Sequence, residues 1–296
     1  MNKNHSFVGS NVALITPMLD DGSVDYESLN NLIEFHIDAG TSSIVSVGTT
    51  GESATVGVKE HLKILDHTIK YAARRIPIIA GTGANSTSEA IELTQEAKNF
   101  GADACLLVTP YYNKPTQEGL FQHFKLIAES VSIDQILYNV PGRTAVDMSV
   151  DTTSRLSEIS NIIGIKDATG DIPRGKQLID QLAGKIAVYS GDDATAYQLI
   201  LAGAKGNISV TANVMPKQVS ELCRLAAEGL SSEAGILNDQ LMSLHDSMFV
   251  ESNPIPVKYA LMKMGMIGQG IRLPLTELNS QYHAQLDQEL SARSLI

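Results

Sequence analysis

Ile162-Ile-Gly-Ile-Lys166, continuing as Asp167-Ala-Thr-Gly170, is an apolar run too short for a free-standing helix, and it ends on a lysine. It reads as a buried strand. Side chains alternate along a strand, so Ile163 and Ile165 are expected on one face and Ile162, Gly164 and Lys166 on the other, with Gly164 leaving room beside the amine. An ammonium in such surroundings is poorly solvated, which favours its neutral, nucleophilic form and suggests a Schiff-base lysine. The plainer reading is a lysine whose head escapes to solvent at a strand end. This stretch alone does not choose between them.

The same kind of run recurs along the chain. Short β-branched segments at 12–16, 43–47, 76–80, 104–108, 135–139, 162–166, 187–190 and 206–210 alternate with amphipathic ones such as 26–39 and 89–100, where Leu29, Leu32, Ile33, Ile91, Leu93 and Ala97 fall at helical spacing. Eight such βα units predict a parallel sheet closed into a (β/α)8 TIM barrel. Beyond position 210 the strands stop. The segments 217–229, 234–244, 255–264 and 277–291 read as helices, so residues 1–229 are expected to form the catalytic barrel and residues 230–296 a C-terminal helical extension.

Composition narrows the function. The chain has 296 residues, 43% of them hydrophobic, and a net charge of −11 from 33 acidic and 22 basic side chains without long runs of one sign. Such a surface repels nucleic acid and anionic lipid. Cys105 and Cys223 are too few for a disulfide framework and suit packing in a reducing compartment. No stretch approaches the roughly 20 apolar residues of a membrane span, and the N-terminal residues lack secretory or transit character, so a cytoplasmic protein is expected. The seven histidines form no ligand pair and no cysteine cluster accompanies them, so no metal and no cofactor is expected.

In a barrel of this kind the site lies at the C-terminal ends of the strands. After the second strand stands Gly48-Thr-Thr-Gly-Glu-Ser53, a turn whose backbone N–H groups can hold a carboxylate or phosphate, although capping of the next helix would use the same residues. The third strand ends in Gly81-Thr-Gly-Ala-Asn85, which lacks the spacing of a nucleotide loop. The fourth ends in Thr109-Pro-Tyr-Tyr-Asn-Lys-Pro115, where at least one tyrosine should face a site or another subunit. The fifth ends in Tyr138-Asn-Val-Pro-Gly-Arg-Thr144. Tyr138 shares a face with Ile136, which if inward brings the phenol toward Lys166, where it could relay protons, and Arg143 could hold a substrate carboxylate. The seventh ends in Ser190-Gly-Asp-Asp193, which reads as a helix cap more than a catalytic dyad.

With these motifs the chain resembles the 4-hydroxy-tetrahydrodipicolinate (dihydrodipicolinate) synthase family, part of the pyruvate-dependent superfamily that includes N-acetylneuraminate lyase. The likeness rests on Gly48–Glu52, Thr109–Tyr112, the Tyr138-Asn-Val-Pro run and Gly164–Gly170, and it covers nearly the whole chain. It implies condensation of pyruvate, held as an imine on Lys166, with L-aspartate 4-semialdehyde in lysine and diaminopimelate biosynthesis. In the resemblance, Tyr138, Thr50 and Tyr112 match the proton-relay triad, with Tyr112 supplied by a neighbouring subunit of a homotetramer built as a dimer of dimers. Arg143 matches the residue for the semialdehyde carboxylate, and Thr49, Gly191 and Ile208 match pocket positions. Ser53, Ala54, His61, Asn85, Glu89 and Tyr111 match the site of the inhibitor L-lysine, while Val58 replaces a histidine of some inhibited relatives. That loss of one polar contact is worth about 1 kcal/mol. The related sugar-acid and neuraminate lyases, which release pyruvate, generally lack the double threonine and the Pro-x-Arg-Thr run at 141–144. A non-catalytic barrel that senses an amino acid would not need Lys166, Tyr138 and Thr50 together.

Overall fold

The computed structural model describes residues 7–296. Eight strands, β1 (Gly9–Ala13), β2 (Ser43–Ser46), β3 (Ile78–Gly81), β4 (Ala104–Val108), β5 (Gln135–Asn139), β6 (Ile162–Asp167), β7 (Ala187–Ser190) and β8 (Gly206–Ser209), pair in parallel and in sequence order. Pairing of Gly9 with Gly206 closes the barrel. A Cβ on Gly206 would lie 2.1 Å from the Gly9 carbonyl oxygen, so only glycine permits that approach. Helices α1 (Tyr26–Asp38), α2 (Val58–Ala72), α3 (Thr87–Phe100), α4 (Gln117–Ser130), α5 (Pro141–Thr144), α6 (Val150–Leu156), α7 (Ile172–Leu182), α8 (Ala196–Leu201) and α9 (Pro216–Ala227) follow the strands. Their apolar faces cover the sheet because a parallel sheet has no face it can leave to water.

The expected strand at 12–16 lies earlier, at Gly9–Ala13. Leu14 and Ile15 are buried as the apolar run implies; Leu14 N still donates to the Val45 oxygen of β2 at 3.1 Å, but the chain then leaves the sheet, and Asn213 holds the backbone on either side of Leu14. Its side chain accepts from Ile15 N at 3.1 Å and donates to the Ala13 oxygen at 2.9 Å. The alternation expected along β6 also fails at its start. The register slips between Gln135 and Ile136, which pair with Ile162 and Gly164, so Ile163 is the extra residue of a bulge. Ile163 therefore packs inside the barrel with Tyr138, Tyr189 and Ile208, while Ile162 and Ile165 pack outward against the helices. Nor does Gly164 make room for the amine. The Tyr189 ring fills that space, with Cε2 2.9 Å from where a Cβ would stand.

The C-terminal extension consists of α10 (Ser231–Ser247), α11 (Ile255–Lys263) and α12 (His283–Ser291). The last helix begins later than the expected position 277, because Asn279 accepts from Gln281 N at 3.0 Å and starts a 3-10 turn instead. Leu241, Leu244, Leu261 and Leu286 of these helices join one core with Leu199, Val219 and Leu222 of the barrel. None of the described helices is long and apolar enough to cross a membrane.

Candidate active site

Lys166 sits at the inner C-terminal end of β6, buried, between Tyr138 on β5 and Tyr189 on β7 in the strand register. Its Nζ stands 4.3 Å from the centre of the Tyr138 ring. Burial pushes the amine down to about 8, with Asp193 working against the shift and Arg143 adding to it. Roughly one amine in ten is then neutral at pH 7. The neutral fraction grows as pH rises, so trapping of a carbonyl substrate on Lys166 should quicken about tenfold per pH unit below 8 and level off above it. A stopped-time borohydride trap with pyruvate, run from pH 6 to 10, measures this, and a flat profile would contradict it.

The sharp approach of the β7 loop closes the site behind the amine. A Cβ on Gly191 would stand 2.6 Å from Lys166 Cε and 2.7 Å from Ala168 Cβ, so a glycine there lets the lysine lie flat against the strand ends. Ile208 on β8 is buried in the same interior cluster as Tyr138.

The two threonines separate in function because neighbouring residues of the turn point apart. Burial pushes the Tyr138 phenol up, and the Arg143 charge and the nearby Thr49 hydroxyl ease that shift. The Thr50 hydroxyl instead accepts from Asn253 Nδ2 at 2.9 Å. Among the described residues, then, the hydroxyl beside the Tyr138 phenol is that of Thr49, while Thr50 is turned toward Asn253. Below the turn, Glu52 adopts a positive φ of 59° and its fully buried carboxylate pairs with Lys258 of α11. Arg272 donates its N–H to the same carboxylate at 3.3 Å and binds Glu60 through its guanidinium.

Arg143, exposed on α5, donates from Nη2 to the Asn253 carbonyl oxygen at 3.2 Å. It lines a cavity of about 230 Å3 together with Thr49, Ser53, Ala54, Val58, His61, Glu89 and Tyr111. The residues expected for the inhibitor thus come together and adjoin the catalytic side. Asn85 is not in the lining but is tied to it, donating to the Tyr111 carbonyl oxygen at 3.2 Å. Burial pushes His61 down to about 4, against a bond to the Gly81 backbone, so it brings no positive charge at neutral pH. Tyr112 is not drawn to Lys166 at all. It is 90% exposed, with φ at 74°, at the tip of its loop.

Two residues escaped the sequence reading. Asp192 does not cap the helix, whose N-cap is Thr195, but closes the turn before it by accepting from Thr195 N and Oγ1, and Asp193 is a buried carboxylate that accepts from Asn207 Nδ2 at 2.7 Å, Val210 N at 3.0 Å and Thr211 N at 2.9 Å. Burial works against its charge, and His245 with these hydrogen bonds outweighs burial and holds it below the usual carboxylate range. Its position after a strand end was the available signal. Asn253 had none, since it reaches Thr50 from 203 residues away. Among the described residues no group of three or more His, Cys, Asp or Glu side chains is disposed to hold a metal.

A closed βα barrel with a buried amine of lowered pKa at its mouth, a phenol over that amine and an arginine at the cavity edge defines a lyase of the class I aldolase type. Residues 6–293 match the Dihydrodipicolinate synthetase family, to which the chain belongs. It is 61% identical to the 4-hydroxy-tetrahydrodipicolinate synthase of Marinobacter nauticus over 97% of this chain and 99% of that one, and 61% identical to that of Ruthia magnifica over the whole of both. Among solved structures, a chloride-inhibited dihydrodipicolinate synthase from Acinetobacter baumannii, complexed with pyruvate, superposes with a TM-score of 0.97 at 61% identity, covering 98% of this chain and 100% of that one. The enzyme of Cyanidioschyzon merolae, with lysine bound, superposes with a TM-score of 0.95 at 35% identity over 99% and 100%.

Proposed function

We infer that Lys166 forms an imine with pyruvate and that the groups around it carry the rest of the reaction. The reaction is that of the family: pyruvate condenses with L-aspartate 4-semialdehyde to give 4-hydroxy-tetrahydrodipicolinate, the first committed step of lysine and diaminopimelate biosynthesis. The observation that carries the mechanism is the buried amine facing the Tyr138 ring. Neutral Lys166 adds to C2 of pyruvate, and loss of water with uptake of one proton leaves the protonated imine. Loss of a C3 proton then gives the neutral enamine, whose carbon attacks the semialdehyde carbonyl carbon as that oxygen gains a proton, restoring the protonated imine on Lys166. Tyr138 can give and take these protons because a phenol is both donor and acceptor. The influence of the Thr49 hydroxyl on the phenol supports a relay through Thr49 in the place that the family resemblance gives to Thr50. Thr50, in the Gly48–Glu52 turn, holds the pyruvate carboxylate, Arg143 holds that of the semialdehyde, and Gly191 and Ile208 bound the pocket. A coupled assay supplied with both substrates tests the reading. Their joint consumption supports it, and release of pyruvate from a 2-keto-3-deoxy sugar acid instead would overturn it.

The exposed Tyr112 supports a shared site, in which a second copy of the chain supplies this phenol to the relay within a homotetramer of paired dimers. Mixing Tyr112→Phe protein with Lys166→Met protein under subunit exchange should restore part of the turnover that each lacks. Exchanged mixtures that stay inactive, with both parents folded, would remove Tyr112 from the partner's site. We further assign the cavity beside Arg143 to L-lysine, with Glu89 pairing an ammonium and Tyr111 and Asn85 giving hydrogen bonds. Inhibition should then be partial and weaker in Glu89→Ala. Rates unchanged up to tens of millimolar L-lysine would contradict it. Residues 1–229 act in this scheme as the catalytic barrel and residues 230–296 as the extension that braces it, in a cytoplasmic enzyme.

A further inference from the structure

We propose that Asn253, just before α11 in the C-terminal extension, is a positioning residue that sets the direction in which the Thr50 hydroxyl donates. The proposal rests on the reading of Thr50 as a ligand of the pyruvate carboxylate. Asn253 is buried, and Nδ2 donates to Thr50 Oγ1 at 2.9 Å. A hydroxyl has one proton and two lone pairs, so an N–H seated on a lone pair leaves that single proton free for an acceptor on the substrate side. The bond also polarises the hydroxyl and strengthens the one it donates. The same residue accepts from Arg143 Nη2 through its backbone oxygen at 3.2 Å, so one segment of the extension touches both groups assigned to substrate carboxylates.

The other half of the carboxamide argues that this contact serves the site more than the fold. Asn253 Oδ1 is buried and has no hydrogen-bond partner among the described residues. A buried acceptor without a partner is a stability cost, and native structures keep few of them. Here the side chain keeps that cost while making, among the described residues, a single polar contact, and that contact is Thr50.

Asn253→Ala should raise the KM for pyruvate about tenfold while kcat changes less than about threefold, because a contact to the carboxylate binds ground state and transition state alike. Its melting temperature should match the parent or exceed it. Asn253→Asp is of the same shape but can only accept, so it takes the Thr50 proton for itself and should raise the KM further. In a Thr50→Val background neither substitution should add to the loss, since the group they act through is gone. If Thr50→Val leaves the KM for pyruvate unchanged, the reading of Thr50 fails and the proposal with it. If Thr50→Val raises the KM but Asn253→Ala does not, or the two effects multiply, Thr50 stands and the positioning role is overturned. A fall in kcat and melting temperature together, without a KM change, would also overturn it by marking Asn253 as a structural contact.

Discussion

Lys166→Met should be both inactive and more stable than the parent enzyme. The loss of turnover follows from the absence of a substitute. Among the described residues Lys258 is the other buried lysine, but Glu52 pairs with its ammonium, and a protonated, ion-paired amine is no nucleophile. Among the described residues no carboxylate makes such a pair with Lys166, whose nearest influences are burial, Asp193 and Arg143. Removing the group that forms the covalent intermediate should cost at least about 10^4-fold in kcat. Borohydride with pyruvate should label the peptide containing Lys166 in the parent and label nothing in the variant. Retention of a tenth of the activity, or labelling elsewhere, would end the imine mechanism as written.

The gain in stability follows from the sign of the same shift. The amine lies at about 8 in the folded chain against an ordinary lysine value of 10.5, so between those values the folded state binds fewer protons than the unfolded one. Folding is therefore penalised fully below pH 8, and the penalty fades as pH rises toward 10.5. At 1.36 kcal/mol per pH unit the penalty reaches up to about 3 kcal/mol. Methionine has a similar length and no charge, so it relieves the penalty without leaving a large cavity. Denaturant unfolding at pH 7 should show Lys166→Met the more stable, and at pH 10.5 the difference should shrink. A variant less stable than the parent at pH 7 would show that the amine is better solvated than its burial implies.

Lys258→Met should have the opposite effect, costing about 3–5 kcal/mol, because an uncompensated buried charge is far more costly than the pair was favourable. The Glu52 side chain is fully buried, and its ion pair with Lys258 fastens the turn that carries Thr49 and Thr50 to α11 of the extension. Taking away one partner leaves a carboxylate in the interior with the Arg272 N–H at 3.3 Å and the charge of a guanidinium already paired with Glu60 to answer it. Glu52 also holds a left-handed backbone conformation at φ 59°, which the pair helps to maintain. The loosened turn should lower activity as well. Adding Glu52→Gln should recover much of the stability, because the stranded charge is then gone. A loss under about 1 kcal/mol in Lys258→Met, by chemical denaturation, would show that water reaches the pair.

The barrel and its lysine were legible in the chain because their signals are local. A β-branched run followed by an amphipathic segment is a statement about neighbours, and eight repetitions of it leave one closed parallel arrangement. The residues at strand ends then select themselves, which is why Lys166, Tyr138, Arg143 and the two threonines stand out from the sequence alone. What could not be read are the places where distant segments meet. The bulge at Ile163 comes from the register between β5 and β6, and it reverses the faces that alternation assigns to Ile162 and Ile163. Which of two adjacent threonines meets the phenol depends on how the turn bends after β2, and Thr49 does. Asp193 looks like any helix cap until Asn207 and the β8 loop close around it. Asn253 lies in the turn before α11 and Lys258 within that helix, neither in a motif, and they reach the Thr-Thr turn because the shared apolar core of barrel and extension seats α11 there. Burial and hydrogen-bond partnership are properties of the packed chain, and no periodicity in the sequence encodes them.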